Sequence, residues 1–100
     1  MADHSDMTEV LTVLRVLNHP VRLSILCNLI ERGEMTAGDI VAQEEGLASQ
    51  SQTSQYLKLL KEEGLVRSRK EGQFVIYSLA SDKIKELIAT LHKLYCPARC

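Results

Sequence analysis

The thiols of Cys27, Cys96 and Cys100 are the soft nucleophiles of this sequence. A thiolate can attack an oxidant or a persulfide, close a disulfide with a second thiol, or bind a soft metal ion. Three cysteines in a chain of cytoplasmic character do not make a structural disulfide framework, so they are inert, metal-binding or redox-active. Cys27 lies four residues after Leu23 and three before Ile30, on the stripe those two define, where a lone cysteine reads as a small core residue. Cys96 follows a helical segment near Lys93 and Arg99, cations that favour the thiolate, while the negative end of the helix dipole opposes it. Cys96 and Cys100 are interrupted by Pro97, unlike a zinc knuckle; the three thiols with His19 or His92 form the metal-binding alternative. His4, His19 and His92 otherwise read as a tail residue, a turn residue before Pro20 and a helix-surface residue, without the companions of a catalytic triad. No paired carboxylates in an apolar setting and no phosphate-binding glycine loop occur, so an enzyme is excluded and no cofactor or resident metal is expected.

A second kind of chemistry is written between Ser49 and Leu79, SQSQTSQYLKLLKEEGLVRSRKEGQFVIYSL. Ser49 is an N-cap, and Thr53, Tyr56, Leu57 and Leu60 recur at helical spacing while Gln50, Ser51, Gln52, Ser54, Gln55, Lys58 and Lys61 fill the remaining faces. Gly64 ends that helix. Leu65 to Lys70 and Gln73 to Leu79 then read as two strands around a Glu71-Gly72 turn. Amide and hydroxyl side chains near a helix N-terminus suit the DNA major groove, so Gln50, Ser51, Ser54 and Gln55 are candidates for base edges or adjacent phosphates. Lys58, Arg67, Arg69 and Lys70 are candidates for the phosphate backbone, which orients a protein without reading sequence. A net charge of −1 conceals a local polarity that permits this. Glu31 to Ala48 carries five acids against Arg32 alone, whereas Ser49 to Leu79 carries five bases against Glu62, Glu63 and Glu71.

The elements that must position these groups follow in order. One hundred residues, 45% of them hydrophobic, make a single domain over 1–100 with one modest core. Met1 to Met7 are polar and fray; no membrane span or signal peptide is present, and the chain is expected in the cytoplasm. A first helix starts at Thr8, with Val10, Leu11, Val13, Leu14 and Leu17 on one side, and stops before Asn18-His19-Pro20. Pro20 opens a second, central helix that is apolar nearly all round up to Gly33. Thr36 caps a third, anchored by Ile40 and Val41 and closed by Gly46, with Asp39 completing an approximate capping box. The third and fourth helices form a helix-turn-helix, and the hairpin makes it winged. A last helix, Ser81 to Tyr95, is capped by Ser81 or Asp82 and carries Ile84, Leu87, Ile88, Leu91 and Leu94. These five, with Val10, Leu14 and Leu17, are expected to be buried largely between subunits of a symmetric dimer. The fold class is mainly α with a small β-hairpin: five helices and a wing.

This order of signals resembles the ArsR/SmtB family of bacterial winged-helix repressors over nearly the whole chain. LNHPVRLSILCNL in the second helix, SQSQTSQYLKLLKEEGLV in the recognition helix and RSRKEGQFVIYSL in the wing carry the resemblance. It implies a homodimer joined through the first and last helices that binds an inverted-repeat operator in double-stranded DNA and releases it when an inducer is sensed. Arsenic and cadmium sensors of the family place cysteines in or beside the third helix; TAGDIVAQEEG has none. Zinc sensors use an Asp-x-His pair early in the last helix and a second pair near its end. Here Ile84 replaces the first histidine, and Tyr95 and Ala98 stand where the second pair would fall. Tyr56 stands where many relatives have His. What remains, LCNL in the second helix and LYC closing the last, resembles the BigR/HlyU-type dithiol sensors of oxidants or reactive sulfur. The resemblance thus implies Cys27 and Cys96 as a redox pair. The alternatives are a metal-responsive repressor of the same family, or a winged-helix interaction module that does not bind DNA.

Overall fold

The computed structural model describes residues 4–95, with side chains for 7–94. The order is α1 (His4–Leu17), α2 (Pro20–Arg32), β1 (Met35–Thr36), α3 (Ala37–Gln43), α4 (Gln50–Glu62), β2 (Val66–Glu71), β3 (Phe74–Leu79) and α5 (Asp82–Tyr95). The expected helices and wing are present; Cys96 and Cys100 lie outside the described residues.

α2 is the hub, packing against α1, α4, α5 and β3. Its apolar surround explains this: Val21, Ile25, Leu26 and Leu29 are all buried, and they meet Ile40 of α3, Leu57 and Leu60 of α4, Leu79 of β3 and Ile88 of α5 in one core. His19 does more than sit in a turn. Its Nδ1 accepts from the Val21 N–H at 3.2 Å, capping α2, and Pro20 takes the first helical position, where a missing N–H costs nothing.

Several boundaries differ from the sequence reading. α1 begins at His4 rather than Thr8, since no glycine or proline interrupts the chain between them. It also has two apolar faces rather than one. Val13, Val16 and Leu17 are buried, whereas Met7, Val10, Leu11 and Leu14 are exposed. α3 stops at Gln43, three residues before Gly46, because Glu44 leaves helical geometry and its carbonyl receives the Leu47 and Ala48 N–H groups. Met35–Thr36, where no strand is expected from the sequence, pairs antiparallel with β3 to complete a sheet of order β1-β3-β2, and Thr36 also caps α3. The hairpin turn is Gly72-Gln73 rather than Glu71-Gly72, because Glu71 still pairs with Phe74. Gly72 at φ 60° supplies the left-handed first position that a two-residue turn of this kind requires.

Candidate functional site

α4 is held at both ends by its own sequence. Ser49 Oγ accepts from the Gln52 N–H at 3.1 Å, and Gln52 Oε1 accepts from the Ser49 N–H at 2.9 Å, a complete capping box. At the other end Gly64, at φ 84°, lets its N–H reach the Lys61 carbonyl (3.1 Å) while the buried Leu65 donates to Leu60 (2.9 Å). Ser49→Ala should therefore cost about 1 kcal/mol of folding stability, read as a lower urea midpoint with an unchanged slope.

Between these ends the helix divides cleanly. Thr53, Leu57 and Leu60 are buried, and Tyr56 leans inward with its ring 4.6 Å from that of His19, on the packed side of the helix. Gln50, Ser51, Ser54, Gln55 and Lys58 are exposed and, with Ser49, line one shallow open groove. All five residues expected from α4 at a nucleic-acid surface thus come together on one face.

The wing behaves differently. Strand register puts Arg67 opposite Ser78, Arg69 opposite Ile76 and Lys70 opposite Val75. Successive side chains on a strand point to opposite faces, so Lys70 lies across the wing from Arg67 and Arg69 rather than beside them. Arg69 is not a free cation either. Its Nη1 and Nη2 bond the Glu34 carboxylate, and its Nε donates to Glu71 at 2.9 Å. The Arg69 bond and charge hold the Glu34 carboxyl below the ordinary range, and two carboxylates raise the guanidinium pKa. Arg67 Nε approaches Ser78 Oγ at 3.4 Å.

Cys27 is 7% exposed on α2. Burial, and then the negative charge of Glu31, push its thiol pKa up, so it is overwhelmingly protonated at neutral pH. Glu31 stands one helical turn beyond Cys27 and turns toward α5, its carboxylate 3.5 Å from His92 Nε2. His92 is thus partly buried against α2 rather than on a free helix surface. No cluster of three or more His, Cys, Asp or Glu able to hold a metal ion occurs among the described residues.

Of the residues expected between subunits, Leu17, Ile84 and Ile88 are already buried in the protomer's own core, and Leu87 and Leu91 pack partly against it. Their helical spacing signals burial but not which partner supplies it. Val10, Leu14 and Leu94 remain exposed, together with Met7 and Leu11, and an apolar groove between α1 and α5 is lined by Met7, Val10, Val13, Ile84 and Leu87. The sequence reading missed Glu44, a buried carboxylate bonded to Ser24 and Asn28 of α2. Its signal was its position, one turn beyond the inward-facing Ile40.

Comparison with known proteins bears on these surfaces. Residues 19–68 match the family model described as bacterial regulatory protein, arsR family. The transcriptional activator HlyU of Vibrio cholerae is 42% identical over 86% of this chain and 77% of its own. Its structure superposes with a TM-score of 0.86 at 37% identity, covering 94% of this chain and 99% of that one. The biofilm growth-associated repressor of Agrobacterium fabrum is 38% identical over 89% of this chain and 74% of its own. The homodimeric winged helix-turn-helix DNA-binding domain of Mb0332 from Mycobacterium bovis superposes with a TM-score of 0.76 at 27% identity, covering 94% and 86%. With its helix-turn-helix, its wing and matches of this extent, the chain belongs to the ArsR family of bacterial transcriptional regulators and is not an enzyme.

Proposed function

We propose that this protein is a homodimeric repressor that reads an inverted-repeat operator with α4 and releases it when Cys27 and Cys96 are joined. The observation that carries the DNA reading is the division of α4, with its amide and hydroxyl side chains exposed together and its apolar side buried. The repressor of Agrobacterium fabrum and the homodimeric DNA-binding domain of Mycobacterium bovis support the assignment by their similarity.

The switch is supported by the surroundings of Cys27. Glu31, four residues after Cys27, meets His92 of α5, and Cys96 follows His92 by four residues in the sequence. A thiol kept protonated by burial is suited to the second step of bridge formation rather than the first. With peroxide, the Cys96 thiolate attacks one oxygen, hydroxide leaves, and the sulfenic acid condenses with the Cys27 thiol to give a disulfide and water. With a persulfide, the Cys96 thiolate takes the terminal sulfur and the donor leaves as a thiolate. Cys27 then gives up its proton, attacks the inner sulfur and expels hydrosulfide. In both routes the oxidant accepts the two electrons lost by the thiols. A cytoplasmic thiol reductant reverses the bridge.

Selection from a pool of random duplexes tests the DNA reading and supplies an operator. Gln55→Ala should then cost roughly 1 to 3 kcal/mol on the selected sequence and little on random DNA. Lys58→Ala should weaken both and reduce the salt slope by about one. Because Glu34 and Glu71 already hold Arg69, Arg69→Ala should cost less than Lys58→Ala, and Glu34→Gln should strengthen both complexes. Equal losses on both DNAs from Gln55→Ala would show that this glutamine does not read sequence.

A further inference from the structure

Glu44 stands where α3 gives way to the turn before α4, and it is 1% exposed. Its backbone shapes that turn. The N–H donates to the Ile40 carbonyl at 3.1 Å, and its own carbonyl accepts from Leu47 at 2.8 Å and Ala48 at 2.9 Å. Ala48 directly precedes Ser49, the cap of α4. The side chain crosses to α2, where Oε2 accepts from Ser24 Oγ at 2.8 Å and from Asn28 Nδ2 at 3.2 Å. Oε1 is buried with no hydrogen-bond partner among the described residues. Burial pushes the carboxyl above the ordinary carboxylate range, against the opposing pull of these two bonds.

Adhesion between α2 and the turn does not require such a group. An apolar side chain of similar volume would fill the place without the cost of burying a half-satisfied carboxylate. What the carboxylate supplies is direction. Ser24 and Asn28 are one helical turn apart on the same face of α2, and two donors converging on one oxygen fix the turn in both position and rotation.

We infer that Glu44 is a positioning residue for DNA recognition: its bonds to Ser24 and Asn28 set the seat of α4 on α2. This rests on the reading of α4 as the DNA-contacting helix. Glu44 touches no DNA in this account, so its effect appears as lost discrimination rather than lost charge attraction.

The test uses the full-length reduced protein, duplexes selected by the wild type from a random pool, and an unselected duplex of equal length. Glu44→Ala and the double variant Ser24→Ala/Asn28→Ala should each weaken the selected complex by about tenfold, the scale set by losing a buried hydrogen-bonded contact, and the random complex by less than about twofold. Combining all three changes should add no further loss, because they dismantle one unit. Glu44→Gln keeps an acceptor for both donors and should bind within about twofold of wild type. A merely structural role would lower the melting temperature while leaving the affinity of the folded fraction unchanged. Should Glu44→Ala fail to fold, the double variant, which retains the α2 backbone and its apolar face, carries the same comparison. Unchanged affinity for the selected sequence, or equal losses on both duplexes, would overturn the role of Glu44 alone. Failure of the wild type to select any sequence would overturn the DNA reading and this inference with it.

Discussion

Leu14→Glu should give a folded monomer that has lost operator binding. Leu14 is 54% exposed in the protomer, so a carboxylate there meets water and leaves the fold intact. The same position belongs to an outward stripe of Met7, Val10, Leu11 and Leu14, and Leu94 at 65% exposure extends the apolar surface onto α5. Of the seven large hydrophobics that are exposed among the described residues, these five lie on the two helices expected to form the interface. A dimer related by a two-fold axis buries the substituted residue twice, leaving two unpaired charges without water. Each monomer then faces a single half-site, and operator affinity should fall by about a hundredfold or more. Sedimentation equilibrium reads the assembly, and far-ultraviolet circular dichroism reads the fold. A dimer of unchanged stability would move the interface to another surface.

Cys27→Ser and Cys96→Ser should each bind the operator normally when reduced and fail to release it on oxidation, while Cys100→Ser should still respond. Serine replaces a thiol by a hydroxyl of similar shape but removes the sulfur that must either attack or resolve. The buried Cys27 is the more informative position. Its protonated thiol should react slowly on its own, so Cys96→Ser should leave it unmodified by dilute peroxide. A direct disulfide requires Cα atoms within about 7 Å, and inserted sulfur atoms span a longer gap. A bridge would tie α5 to α2 and, because α5 contributes apolar surface to the proposed interface, alter the spacing of the two α4 helices, which must match half-sites about one DNA turn apart. A hundredfold weaker bridged form corresponds to a coupling of roughly 2.7 kcal/mol. If Cys27→Ser released DNA as readily as wild type, a site built from Cys96 and Cys100 would be the better account.

The parts of this fold that were legible in the sequence are those specified by neighbours along the chain. The Ser49 cap, the inward set Thr53, Leu57 and Leu60, and the Gly64 stop all act within a turn or two of helix, and the structure has each of them. β1 was not legible because two residues cannot display an alternating pattern. Met35 and Thr36 become a strand only when β3 offers its free edge. Glu34 and Arg69 are 35 residues apart, so nothing local announced their pairing. The separation of Lys70 from Arg67 and Arg69, by contrast, was available from the two-residue period of a strand. Glu44 and Glu45 look alike in sequence as a solvated acidic pair. Only the helical offset from Ile40 distinguishes the buried one, and the donors that make its burial tolerable lie on a different helix. The partnership of Cys27 with Cys96 came from family resemblance, and the contact between Glu31 and His92 is the structural feature nearest to it.

The most direct measurement of the switch takes one sample of Cys100→Ser protein, reduces it, treats it with a low-molecular-weight persulfide, and reads both intact mass and operator affinity. The expected product is lighter by the two hydrogens of a disulfide or, where sulfur is inserted into the bridge, heavier by whole sulfur atoms less those two hydrogens, whereas a gain of whole sulfur atoms alone would be an unbridged persulfide. Proteolysis should yield the Cys27 and Cys96 peptides linked within one chain, and the affinity should be about a hundredfold weaker and restored by dithiothreitol. Release of DNA with the Cys27 thiol still free, or a complete Cys27–Cys96 bridge with unchanged affinity, would contradict it.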